Sequence, residues 1–171
     1  MGMLVSSIFL GFVPIKKNFV RILSISLFLA GIFMSGFDLR ENVILICIFG
    51  FMFFLMLPFA NACLDYLVRS NMGNEVQGRV WGLIGIISQV GFIFAYGILG
   101  PVADYIFIPM FKYEGALANS IGKVIGIGEG RGIGFLIILS GILLSAISMV
   151  LPRIKSIKEL EIEDVMYNKI D

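Results

Sequence analysis

The chain has 171 residues, a formal net charge of +1 and a mean hydropathy of +0.98, with 58% of its residues hydrophobic and 15% charged. That balance belongs to integral membrane proteins, and the near-neutral net charge gives no electrostatic basis for binding nucleic acid. There is no histidine, which removes histidine-based nucleophile activation, histidine general-base chemistry and most zinc sites; no enzyme activity, metal or cofactor is expected.

Residues 1–13 are apolar but have no basic leader and no small-residue cleavage site, so they do not read as a signal peptide. The stretch is short for a span and reads as the end of a helix whose beginning is missing. Pro14, Lys16, Lys17 and Arg21 then form a basic loop. A second apolar run covers 22–37, extended to residue 20 by a snorkelling Arg21. Residues 38–41 make a polar turn.

The third run, 42–64, is uncharged, rich in Phe and Met, and closes around Asp65 and Arg69. Pro58 inside it predicts a kink, not a stop. Cys47 and Cys63 lie in this run, about 24 Å apart on one helix, so they do not pair; both are expected to be buried as small apolar side chains. Residues 70–79 read as a polar hinge. The fourth run, 80–103, is roughly 24 residues or about 36 Å of helix, against a hydrocarbon core of about 30 Å.

Residues 104–131 form a long connection, apolar at first over 105–111 and expected to lie partly at the membrane interface. The fifth run is 132–151, followed by Arg153, Lys155, Lys158 and an acidic tail. The expected fold is all-α: a polytopic transmembrane helical bundle over residues 1–152, with a tail over 153–171. Lys and Arg gather in the 14–21 loop, the 70–79 hinge and the C-terminal flank. All three fall on one side if every run crosses. That side is predicted to be cytoplasmic in a multi-pass cell-membrane protein.

Residues 125–134 read IGIGEGRGIG. No dinucleotide fingerprint fits, and Gly122-Lys123 is followed by Val124, so there is no P-loop; a flexible turn is expected. Gly78, Gly82 and Gly85 share one face of the fourth run, and Gly134, Gly141, Ser145 and Ser148 one face of the fifth. Such faces either pack helices closely or let them rock. Gln89 joins Gly82, Gly85, Phe92 and Tyr96 on a single face, where its amide either bonds to a neighbouring helix or lines a wet cavity.

On the third run Phe51, Phe54, Pro58, Asn61 and Asp65 share a face that suits a translocation pathway. Asp65 is either a proton carrier or the partner of Arg69 one turn on. Arg79, at the helix entrance, is expected to bind the carbonyl ends of neighbouring helices or Asp65.

Four features occur in order: Pro58 with Asn61; the hinge Gln77-Gly78-Arg79-Val80-Trp81-Gly82; the exit Gly100-Pro101-Val102-Ala103-Asp104; and Gly130-Arg131-Gly132-Ile133-Gly134 opening the last run. Together they resemble the C-terminal half of major facilitator superfamily exporters of the macrolide-efflux and enterobactin-exporter-like branch. The resemblance covers nearly the whole chain except its tail. It implies that residues 1–13 end the eighth of twelve helices and that the later runs are helices nine to twelve.

It also implies that helices ten and eleven line the cavity, with Asn61, Gln89, Phe54, Phe92 and Tyr96 as candidate substrate contacts. Asp65 is a candidate for proton coupling, although it has no counterpart in the family pattern. Pro58, Gly78, Arg79, Gly82, Gly100, Pro101 and Asp104 are candidates for gating or structure. The acid expected in the 14–21 loop is absent, and so are the N-terminal half and the seventh helix.

The expected function is therefore the C-terminal part of a proton-coupled exporter of drug-like or siderophore-like solutes, inactive without its N-terminal half and prone to self-associate. A truncated transporter gene product or a non-transporting membrane interaction protein is the alternative. Small-molecule substrate and membrane lipid are the expected partners.

Overall fold

The computed structural model describes residues 1–12, 18–37, 42–111, 129–155 and 157. Among them all regular structure is helical. In order these are α1 (Gly2–Phe12), α2 (Phe19–Gly36), α3 (Val43–Ser70), α4 (Asn74–Val102), a π-helical turn (Ala103–Phe107), α5 (Ile108–Met110), α6 (Glu129–Val150) and a 3-10 turn (Leu151–Arg153). Among the described residues four segments are long and apolar enough to cross a membrane: Phe19–Gly36, Val43–Ser70, Glu75–Met110 and Gly130–Arg153. The chain is an all-α bundle of membrane type.

Local chemistry sets several boundaries. Asn42 caps α3 by accepting the Ile44 amide at 3.0 Å. Asn18, just ahead of α2, has φ 60, the left-handed conformation that Asn tolerates better than most residues. Pro58 and Pro101 sit inside α3 and α4. Each removes one backbone donor, a loss that membrane helices accommodate by local adjustment.

α2 is the centre of the bundle. It packs against α3 on one side and α6 on the other, both antiparallel, while α1 lies along α3. Phenylalanines fill the α2–α3 seam: Phe33 lies 6.4 Å from Phe49, and Phe37 5.8 Å edge-on to Phe53. At the other end of that seam Phe19 stacks on Tyr66 at 3.7 Å. α1 runs parallel to α3. A side chain at Gly2 would meet the Phe51 carbonyl at 2.6 Å, and Phe9 lies 6.2 Å from Phe59.

The α2–α6 seam is made of small and hydroxylated residues. Ser24 donates to the Ser148 carbonyl (2.5 Å), Ser145 to that of Phe28 (3.2 Å), and Ser35 to that of Ile138 (3.1 Å). Gly31 and Gly141 face each other between these bonds. Lipid offers no hydrophobic drive for helix association, so close backbone approach and interhelical hydrogen bonds supply it. The packing expected of Gly141, Ser145 and Ser148 is realised here.

One end of the bundle is closed by Phe19, Val20, Leu23, Ala60, Cys63 and Leu67, with Ile157 packed against them. The start of α2, the end of α3 and the C-terminal flank of α6 therefore share one end, as the basic loops predicted.

The structure corrects several expectations. The hinge is only Asn71–Met72–Gly73; residues 74–79 are already helical. Residues 105–110, read from the sequence as the start of a connection, are helical and continue the α4 rod, and Phe111 is fully buried. Within 125–134 the described residues, Glu129 onward, are helical, not a turn; 125–128 lie outside the described residues. Cys47 is exposed, because it lies on α3 away from α2, whereas Cys63 is buried in the α2–α3 seam.

Candidate functional site

The candidate residues occupy two outward faces, one on α3 and one on α4. On α3, Phe54, Asn61 and Asp65 are exposed and Pro58 is half-buried. Pro58 has no N–H, so the Phe54 carbonyl one turn earlier lacks its usual helical donor. Among the described residues Asn61 makes no hydrogen bond, and Asp65 and Arg69 form no ion pair. The helix places them four residues apart, but both side chains stand exposed at its end.

Among the described residues of α4 none is buried. Among the described residues it makes no contact with α1, α2 or α6, and it meets α3 only through a few residues, Gln77 among them. Gly78, Gly82 and Gly85 have nothing within 4 Å of where a side chain would begin. The close packing expected of that stripe is not formed within this bundle. Gln89 is exposed and makes no hydrogen bond among the described residues, whereas neighbouring Ser88 satisfies itself on the Ile84 carbonyl at 2.7 Å. Phe92 and Tyr96, one turn apart, stack at 6.4 Å.

The two faces are not brought together. Asn61 and Gln89 belong to helices that diverge from their shared turn, so they do not pair with each other.

α4 is held at its two ends. At the first, the Gln77 side-chain amide donates to the carbonyls of Arg69 (3.4 Å) and Met72 (3.2 Å), and Asn71 donates to that of Leu67 at 2.9 Å. The carbonyl-binding role expected of Arg79 therefore falls to Gln77; Arg79 is exposed, and among the described residues it binds neither a carbonyl nor Asp65. Sequence reasoning missed Gln77, although an amide just past a helix break is well placed to bind the orphan carbonyls of the preceding helix.

At the far end, Gly100 and Pro101 precede a π turn closed by the Ile108 amide on the Ala103 carbonyl. Pro101 and Pro109 bracket this turn, and each leaves a carbonyl one turn earlier without a helical donor, a recognised cause of such irregularity. Asp104 lies in the turn and is exposed.

Gly132 explains the motif that opens α6. A side chain there would meet the backbone of Phe107 and Ile108 at 2.7 Å, so only glycine lets α6 lie against the end of the rod. Phe135 then packs on Phe107 at 5.5 Å and Phe111 at 5.3 Å. Chemically, the two faces offer amides, aromatic rings and one carboxylate.

Comparison with protein-family models, with curated proteins and with solved structures finds no match.

Proposed function

We propose that this chain is the C-terminal part of a secondary-active exporter of drug-like or siderophore-like solutes, in the manner of major facilitator exporters. In this reading transport is proton-coupled alternating access, with one bundle rocking against another. The observation that carries it is the exposure of Asn61 and Gln89 on α3 and α4, without a hydrogen-bond partner among the described residues. A span residue with an unmet amide calls for a second protein surface or a wet cavity, and an N-terminal half supplies both. α1, α2, α3 and α6 act as the packed body, and α4 completes the cavity when that half is present. The protein lies in the cell membrane with the Arg69 and Arg153 end in the cytoplasm.

A non-transporting membrane interaction protein is the second reading, favoured by the same free α4, which would dock on a different partner. The test is efflux of a dye or macrolide from a drug-sensitive bacterial host. Residues 1–171 alone give no efflux, and an N-terminal exporter half supplied in trans restores it. Pull-down of such a half without any efflux would favour the interaction protein.

A further inference from the structure

Ser6 on α1 is 1% exposed, and its hydroxyl oxygen is buried without a hydrogen-bond partner among the described residues. Other helical serines avoid this. Ser35, Ser88 and Ser140 each donate to the carbonyl four residues earlier. A hydroxyl kept from water and left unpaired is destabilising, so this one calls for an acceptor.

Among the described residues α1 packs on α3 alone, so it is α3 that buries Ser6. The register of the pair is fixed at two points. A side chain begun at Gly2 would lie 2.6 Å from the Phe51 carbonyl oxygen, 3.2 Å from the Phe54 Cβ and 3.3 Å from the Leu55 nitrogen. Farther along, Phe9 lies 6.2 Å from Phe59. The helices run parallel, so one turn on from Gly2 brings Ser6 to the turn of α3 that holds Leu55, Pro58 and Phe59. In that turn Pro58 leaves the Phe54 carbonyl without its helical donor. A hydroxyl without an acceptor and a carbonyl without a donor thus stand at the same level of one helix pair.

We propose that Ser6 is the donor for the Phe54 carbonyl, and that this bond latches α1 to α3 at the Pro58 bend. Membrane helices tolerate an interior proline because groups such as hydroxyls on neighbouring helices re-satisfy the freed backbone. In this structure the hydroxyl is unpaired; a small change in the bend of α3 closes the latch. Bending at Pro58 re-aims everything beyond it, Asn61 included, so α1 sets the direction of that exposed face. The device needs no solute, and it stands or falls apart from transport.

Thermal melting of the purified chain 1–171 in detergent reads the bond. Ser6→Ala lowers the midpoint by about 1–2 °C, the size of one average hydrogen bond between membrane helices in a chain of this length. In a Pro58→Ala background, where residue 58 again donates to Phe54, Ser6→Ala no longer lowers it. A midpoint raised or unchanged by Ser6→Ala alone overturns the proposal, because a hydroxyl that stays unpaired is better replaced by a methyl group. An equal loss in both backgrounds also overturns it and makes Ser6 a packing residue only. The bend itself is read by spin-label distances between Cys47 and Arg69→Cys, both exposed, with Cys63→Ala. These positions lie about 33 Å apart along α3. Ser6→Ala broadens the distance distribution, and Pro58→Ala narrows it with or without the hydroxyl. A distribution that Ser6→Ala leaves unchanged would mean that α1 does not hold the bend, and the latch would be overturned.

Discussion

A side chain begun on Gly31 would lie 2.5 Å from the carbonyl oxygen of Gly141, and one begun on Gly141 would lie 2.5 Å from the carbonyl oxygen of Gly31. The relationship is reciprocal because α2 and α6 cross antiparallel with the same Gly-x-x-x-Ser spacing, Gly31 with Ser35 and Gly141 with Ser145. Each glycine also abuts the serine of the opposite helix. Backbone stands where the new carbon would go, so the helices would have to separate.

This gives a paired prediction. Gly31→Ala or Gly141→Ala should destabilise the purified protein by about 1–3 kcal/mol, the range for overpacking. Gly82→Ala and Gly85→Ala should be neutral or should stabilise it by up to about 1 kcal/mol, since a helical glycine is replaced where nothing is near. Thermal melting in detergent reads both. Equal losses at all four positions would mean that α4 packs within its own bundle. In an assembly with a second half, the cost at Gly82 should appear.

The serines on that seam should matter less. Ser35→Ala and Ser145→Ala each remove one bond between helices and should cost about 0.6 kcal/mol, the average for such bonds in membranes. A loss several times larger, measured in the same melts, would show that the seam depends on its hydroxyls more than on its glycines.

The turn between α3 and α4 separates two neighbouring side chains. Gln77→Ala should raise amide hydrogen exchange across 71–77 several-fold, because both carbonyl contacts of its amide are lost. Arg79→Ala should leave that exchange unchanged. In a transporting assembly it should lower turnover or expression with little change in apparent substrate affinity. Normal expression and turnover with weakened affinity would place Arg79 in the binding site instead.

Orientation is tested by labelling. In a background without Cys47 and Cys63, Ser70→Cys and Lys155→Cys should react with an impermeant maleimide only when the cytoplasmic face is open. Strong labelling of intact cells at either position would invert the topology.

Some of this architecture was legible in the sequence, and the reason is physical. Runs without charge of membrane-spanning length announced α2, α3, α4 and α6, because an unpaired charge in lipid is costly. The small face of α6 was readable from Gly141, Ser145 and Ser148. Its counterpart on α2, Ser24, Gly31 and Ser35, was visible in the same spacing but was overlooked.

What periodicity could not supply is which faces meet. Gly78, Gly82 and Gly85 make as regular a stripe as the residues on α6, yet one stripe is empty and the other packed. The role of Gly132 depends on the Phe107 and Ile108 backbone, more than twenty residues earlier in the chain. At the site, Asn61 and Gln89 were recognisable as amides in apolar runs. That they stand on separate, exposed faces depends on where α4 goes after the turn, which no local pattern encodes.

The most direct measurement is transport by the purified chain in proteoliposomes under an imposed proton gradient, with a fluorescent macrolide or dye as solute. Residues 1–171 alone should move nothing above the protein-free leak, and co-reconstitution with an N-terminal exporter half should produce gradient-dependent flux. Proton-driven flux by the chain alone would contradict this and would mean that copies of it assemble a complete pathway, with Asn61 and Gln89 lining a shared cavity.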